Sequence, residues 1–222
     1  MSHTTRLTTA IQDGNLKEVK RLTSWISRLI SGLRIDSEDF EGVTALALAA
    51  YCGRAEIVDF LLTKDPSSRS INSAFREAVK KGHQDIVMTL LQRGIDTDNR
   101  GQGLLDAIWT ENLELTEFLL RVGASPSYRD SEGFTPLKYA VEKDQKEIAQ
   151  LLLAADVSPN VKDDKGNAPL MYARSTEMIE LLISHGADVN TRNAFDFTPR
   201  KLFKQHGYHE LAKIIEEAGG KE

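Results

Sequence analysis

The sequence predicts an all-α repeat solenoid: an array of stacked helix–turn–helix units with β-hairpin or short-loop fingers between them. Three observations carry that expectation. Residues 130–160, DSEGFTPLKYAVEKDQKEIAQLLLAADVSPN, read as one complete unit of turn, short helix, turn and helix. Altered copies of the unit fill the rest of the chain, with a small residue at Ala10, Ala49, Ala78, Ala107, Ala140 and Ala173, and Phe203 in the last copy. The spacings are 39, 29, 29, 33, 33 and 30, and such regularity is the mark of stacked repeats. Finally, neither helix of a unit can bury its apolar stripe alone, so each copy needs neighbours.

Within the reference unit, Gly133 supplies a turn position where positive φ is cheap. Thr135 caps a helix with its hydroxyl, and Pro136 follows at the first helical position, where its missing N–H costs nothing. Leu137 and Ala140 share one helical face, and Ile148, Leu152 and Leu153 make the stripe of the second helix. Asp130, Gly133, Thr135, Pro136, Leu137 and Ala140 together resemble the Asp-x-x-Gly-x-Thr-Pro-Leu opening of an ankyrin repeat, which recurs at about 33 residues. The unit departs from that family at Lys138, where His is usual, and at Asp144, where the turn between helices usually has Gly.

The resemblance implies seven copies, at about 5–35, 39–65, 68–94, 97–123, 130–156, 163–186 and 193–219, forming a single domain over 1–222. The first copy exceeds the repeat length, and Trp25, Ile26, Leu29, Ile30 and Leu33 are spaced as one face of a lengthened helix that seals the open end. The second copy is well preserved, from Gly42 and Thr44 through Leu61 and Leu62. The third and fourth lack about four residues in the finger, so 62–73 and 91–102 are expected as tight loops rich in turn formers. In the fourth, Glu111 stands where the inter-helix Gly would be. The sixth has lost about three residues between its helices, and the seventh has the polar outer face of a terminal cap.

A net charge of −5 among 27% charged residues is too small and too mixed to argue for nucleic acid or an anionic membrane. One cysteine, Cys52, excludes an internal disulfide framework and suits a reducing compartment. The N-terminal residues carry no apolar signal region, so the expected location is cytoplasmic, with secretion as an effector left open. No phosphate loop, Gly-x-Ser-x-Gly elbow or Cys-x-x-Cys is present. His206 and His209 make only half of a zinc site, and Glu111, Glu114 and Glu117 read as a solvated face. The expectation is therefore no catalytic residue, no metal and no cofactor.

By the same resemblance, partner proteins are met on the concave side, by finger tips and the ends of the inner helices. The candidates are Phe40, Tyr51, Lys80, Lys81, Trp109, Glu132, Phe134, Glu142, Phe195 and Phe197. Exposed aromatics are typical interface anchors, although about half of these are expected to fold over onto a neighbouring repeat. Trp109 stands out, because the shortened fingers leave it less covered. Arg69, Arg76, Lys80, Lys81 and Arg100 form a basic group suited to an acidic partner segment. Asn190 sits where asparaginyl hydroxylases act on ankyrin hairpins. The expected function is a non-enzymatic module, monomeric by itself, that binds another protein as adaptor, inhibitor or targeting subunit. Two alternatives stand beside it: a small enzyme or small-ligand-binding protein with a pocket in the third and fourth copies, and a secreted effector with a host target.

Overall fold

The computed structural model describes residues 3–29 and 44–221. They form thirteen α-helices and one 3₁₀ turn, with no strand among the described residues. The chain divides into two compact units, Met1–Asn99 and Arg100–Glu222.

In the first unit α1 (His3–Gln12) pairs with α2 (Leu16–Leu29), α3 (Ala45–Tyr51) with α4 (Ala55–Leu62), and α5 (Ser68–Lys81) with α6 (Gln84–Leu91). The first helices of the pairs stack on one another, α1 on α3 and α3 on α5, and so do the second helices α2, α4 and α6. Ala10, Ala49 and Ala78 are buried on the first helices, where a small side chain lets backbones approach. Side chains at the turn inside each pair tie one copy to the last. Arg54 donates from Nη2 to the Gln12 carbonyl at 2.5 Å, and His83 Nε2 lies 3.2 Å from the Tyr51 carbonyl.

Of the expected tight loops, only 63–67 and 92–96 lie outside helix; 68–73 and 97–102 are taken up as the start of a longer helix. α5 is 14 residues long and α7 (Thr97–Trp109) is 13, against 7 for α3. The turn formers that argued for loops act here as caps. Ser67 Oγ accepts the Ser70 amide at 3.3 Å, and Asp96 accepts the Asn99 amide at 2.7 Å. Ser and Asp serve a helix start as readily as a turn, and once the finger is missing the extra turn of helix satisfies the backbone that a hairpin would have paired. Ser70, buried, then donates to Thr44 Oγ1 at 3.0 Å. α2 runs to Leu29, while the side chains of Trp25, Ile26 and Leu29 and the whole of Ile30 and Leu33 lie outside the described residues.

The second unit contains most of α7, then α8 (Leu113–Arg121), α9 (Pro136–Glu142), α10 (Lys146–Ala154), the 3₁₀ turn Pro169–Tyr172, α11 (Thr176–Ser184), α12 (Pro199–Gln205) and α13 (His209–Glu217). α9 packs on the 3₁₀ turn and that turn on α12; α8, α10, α11 and α13 form the second layer. Thr135 and Thr198 cap α9 and α12 with a proline at the first helical position. Ala168 stands at the corresponding position of the sixth copy and offers no side-chain cap, which with the lost residues leaves only a 3₁₀ turn there.

Each finger of this unit is closed by one side chain. Asp130 Oδ1 accepts the amides of Glu132 and Phe134, Asp163 Oδ1 those of Lys165 and Asn167, and Asn193 Oδ1 those of Phe195 and Phe197. The last two fingers are joined by the Ala194 amide on the Lys165 carbonyl and by Asn193 Nδ2 on Asn167 Oδ1.

Candidate protein-binding site

α7 ends on Trp109, which is 59% exposed. Its ring meets Tyr139 of α9 edge-on with centroids 6.1 Å apart, and Tyr139 in turn meets Phe134 at 5.8 Å. Phe134 meets Tyr172 of the 3₁₀ turn at 6.4 Å. Four rings from three consecutive copies thus form one ladder of edge-to-face contacts, the arrangement that aromatic quadrupoles favour.

The ladder is braced from beneath. The Tyr139 hydroxyl donates to Asp130 Oδ2 at 2.7 Å, and the Tyr172 hydroxyl donates to Asp163 Oδ2, so each finger carboxylate that closes a turn also holds a ring. Burial, and then the hydrogen bond to Asp163, pushes the Tyr172 hydroxyl up to about 12. Tyr139 is raised as well, by burial and by its bond to Asp130. Lys138, only 5% exposed, sets its ammonium 3.6 Å from the Phe134 centroid, 4.6 Å from Tyr172 and 4.9 Å from Tyr139. Glu142 completes its coordination at 2.6 Å, one helical turn on. A buried ammonium is tolerated only when so enclosed.

Beside the ladder lies a cavity of about 400 Å³ lined by Trp109, Glu111, Glu142, Lys143 and Arg174. Lys143 Nζ stands 4.1 Å from the Trp109 centroid and 3.8 Å from Glu111. Glu111 and Asp144 hold the left-handed conformation (φ 59° and 57°) that the turn between helices demands. The Asp144 carboxylate accepts the hydroxyl of Ser175, which caps α11 and so fixes the turn next to Arg174. The lining offers a ring face, two cations and two carboxylates, a set suited to recognition.

The remaining candidates from the sequence fall into three groups. Tyr51 and Phe195 are exposed, at 45% and 68%. Tyr51 carries the Lys81 ammonium 4.3 Å from its ring, and Lys80 pairs with Glu77 at 2.9 Å. Phe134 and Phe197 are half-buried, and each has a lysine over it, Lys138 and Lys201. Glu132 is exposed at its finger tip, and Phe40 lies outside the described residues. Asn190 is exposed, with its amide donating to the Gly219 carbonyl and accepting from Lys221. Glu111, Glu114 and Glu117 all face solvent. His206 Nδ1 lies 2.9 Å from the Leu202 carbonyl, and its ring stacks on Tyr208. Among the described residues no three potential metal ligands converge, and no helix is long and apolar enough to cross a membrane.

Sequence reasoning did not place Arg174, Tyr139 or Tyr172 at a site, and it noted Lys138 only as a departure. The shortened sixth copy hid Arg174, because counting along an intact repeat puts Ser175 and Thr176 at the end of the helix. Lys138 and Glu142, four apart on one helix, were the signal that could have been used.

The family model for ankyrin repeats (three copies) matches residues 7–101 and 104–193. The chain belongs to the ankyrin-repeat family. Ankyrin repeats are in general protein–protein interaction modules without enzymatic activity. Among solved ankyrin-repeat structures, that of human ASB11 superposes with a TM-score of 0.74 at 20% identity, covering 94% of this chain and 96% of that one. The ankyrin-repeat domain of Bcl-3, of the IkappaB family, gives 0.76 at 25% identity, covering 94% and 97%. The putative palmitoyltransferase ZDHHC13 of Danio rerio is 31% identical over 143 residues, 60% of this ankyrin chain but 21% of that protein. A putative ankyrin repeat protein of Rickettsia felis is 23% identical over 227 residues, 98% of this chain and 50% of its own length. The chain thus spans half or less of these curated relatives.

Proposed function

We propose that this chain is a monomeric, non-enzymatic adaptor, inhibitor or targeting module of the cytoplasm. It captures a partner protein on the finger tips and first-helix ends of residues 100–222. The seven copies read from the sequence are kept as part of the proposal. The observation that carries it is Trp109, a large aromatic left mostly in water at the rim of a cavity whose other walls are charged. Such a ring is costly on an idle surface and typical of the anchor of an interface. Phe195 at a finger tip extends the surface, while Tyr51 is a separate exposed aromatic of the first unit. Phe134 supports the face from below, since its ring is engaged by Lys138.

Photo-cross-linking in the native cell tests this, with benzoylphenylalanine in place of Trp109 and, as control, in place of Glu180, an exposed residue of α11. Protein adducts are expected from position 109 and not from 180. Trp109→Ala is expected to lower capture of the cross-linked partner at least about tenfold while costing no more than about 1–2 kcal/mol of stability, for the lost edge contact with Tyr139 and the exposed contact with Lys143. Adducts from position 180 alone would refute the assignment.

A further inference from the structure

We propose that the segment received on this face is acidic, its carboxylates taken by Arg174 and Lys143 while an apolar side chain lies against Trp109. The inference rests on the binding function proposed above and adds the chemistry of the partner. The charges at the cavity do not cancel. Glu142 is turned onto Lys138 at 2.6 Å and is neutralised there. Glu111 stands 3.8 Å from Lys143, with 67% of its side chain exposed, so water screens its attraction. Arg174 is exposed and has no acidic partner among the described residues. One cation is therefore left over, and it is an arginine, whose planar fork matches a carboxylate with two parallel hydrogen bonds.

Lys143 is presented in the same sense. Its ammonium lies above Trp109, so the ring orients it at the cavity without neutralising its charge. The first unit repeats this arrangement. Lys81 stands 4.3 Å from the centre of Tyr51 and has no carboxylate partner among the described residues. Tyr51 is the last residue of α3 and Trp109 the last of α7, while Lys81 and Lys143 close α5 and α9, the first helices of the following copies. Among the described residues, each unit thus has an aromatic ring holding a lysine from the next copy. A basic segment would meet Arg174 and Lys143 head-on, with Glu111 and, bonded to Ser175, Asp144 as the carboxylates that Lys138 does not hold. An acidic one meets two donors already aimed.

The test uses the full chain and three fluorescein-labelled peptides of equal length, each with one central leucine. The flanks are glutamate and aspartate, glutamine and asparagine, or lysine and arginine. Anisotropy is read at about 50 mM and about 200 mM salt, where charge screening differs strongly. Trp109 emission is read in a Trp25→Phe background, in which it is the sole tryptophan. The acidic peptide is expected to bind at least about tenfold more tightly than the neutral one at low salt and to perturb Trp109 emission. Arg174→Glu is expected to remove that preference, and Arg174→Lys to keep most of it. Tightest binding of the basic peptide, binding of none of the three, or an acidic affinity unmoved by Arg174→Glu would overturn the inference. The two readings fail separately. Cellular cross-linking at position 109 that survives Arg174→Glu unchanged refutes the acidic partner and leaves the binding face intact; no specific cross-linking at 109 in the chain that keeps Arg174 refutes the face itself.

Discussion

The two units make the same turn between paired helices with different residues. In the first, Gly14, Gly53 and Gly82 take the left-handed conformation, which costs glycine little. In the second, Gly207 does the same between α12 and α13, but Glu111 and Asp144 take it at the two turns beside the cavity, at roughly 1 kcal/mol each for a residue with a Cβ. Both strained residues flank the Trp109–Lys143 pair, whereas the Tyr51–Lys81 pair of the first unit lies beside relaxed glycine turns. The fingers differ too. The first unit replaces one with an extended α5, while the second keeps three, each closed by Asp130, Asp163 or Asn193. So the second unit carries non-glycine left-handed residues at the two inter-helix turns beside its cavity, and a polar network in its fingers. Strain held in position by surrounding bonds is characteristic of functional surfaces.

The sharpest way to break that contrast is to remove a finger lock. Asp163, 7% exposed, accepts from two finger amides and from the Tyr172 hydroxyl. Asp163→Ala is expected to cost roughly 3 kcal/mol by chemical denaturation, because it leaves a phenol and two amides without their charged acceptor. Asp163→Asn keeps one carbonyl oxygen and is expected to cost less. The same network gives an alkaline limit. The fold raises Tyr172 from its ordinary 10.0 to about 12, so it favours the protonated phenol. The stability this supplies is full below pH 10 and is lost as pH rises from 10 to about 12. Tyr172→Phe is expected to flatten that alkaline decline; an unchanged slope would mean the phenol is not held as described.

Much of this architecture was legible beforehand because it rests on local chemistry. The caps Thr44, Thr135 and Thr198, the prolines behind two of them, and the buried Ala10, Ala49, Ala78, Ala107, Ala140 and Ala173 each act within a few residues of where they stand. The extended α5 and α7 were not legible. Ser67 and Asp96 carry equal information for a loop and for a helix start, and only the packed neighbour chooses between them. The site was half legible. Exposure of Trp109 follows from what is missing beside it, but the ladder depends on Tyr139 and Tyr172 meeting Phe134 across copies, and no periodicity within one helix encodes that. Arg174 was displaced by a local deletion.

A smaller effect separates the support beneath the face from the face itself. Lys138 is buried and Glu142 is its only carboxylate among the described residues. Glu142→Ala leaves an ammonium facing three rings and no counter-ion, and is expected to cost about 2 kcal/mol, discounted because Glu142 is partly exposed. Lys138→Met removes the charge and fills the same box with a flexible apolar chain. It is expected to lie within about 1 kcal/mol of wild type, as buried ion pairs often can be replaced by apolar groups of similar size. Thermal and chemical unfolding of both variants checks the order. If Lys138→Met proved the more damaging, the aromatic box would need the cation for its geometry rather than merely tolerate it.

The smallest expected effect is also the most direct on the contrast between units, because it exchanges their turn residues. Glu111→Gly relieves a left-handed backbone and is expected to stabilise the chain by up to about 1 kcal/mol, since its exposed pairing with Lys143 at 3.8 Å contributes little. Gly53→Ala does the reverse. Its φ is 67°, and a Cβ there would come within 2.7 Å of His83, the side chain that reaches the Tyr51 carbonyl, so a loss of about 1–2 kcal/mol is expected. Denaturant midpoints of the two variants should therefore move in opposite directions. Glu111→Gly also strips the cavity of its exposed carboxylate, so the stabilised chain should hold the acidic peptide more tightly and the basic one less. A Glu111→Gly chain that gained stability and lost acidic-peptide binding would show that the strained glutamate serves the ligand, and that the charge balance at Arg174 and Lys143 has been read with the wrong sign.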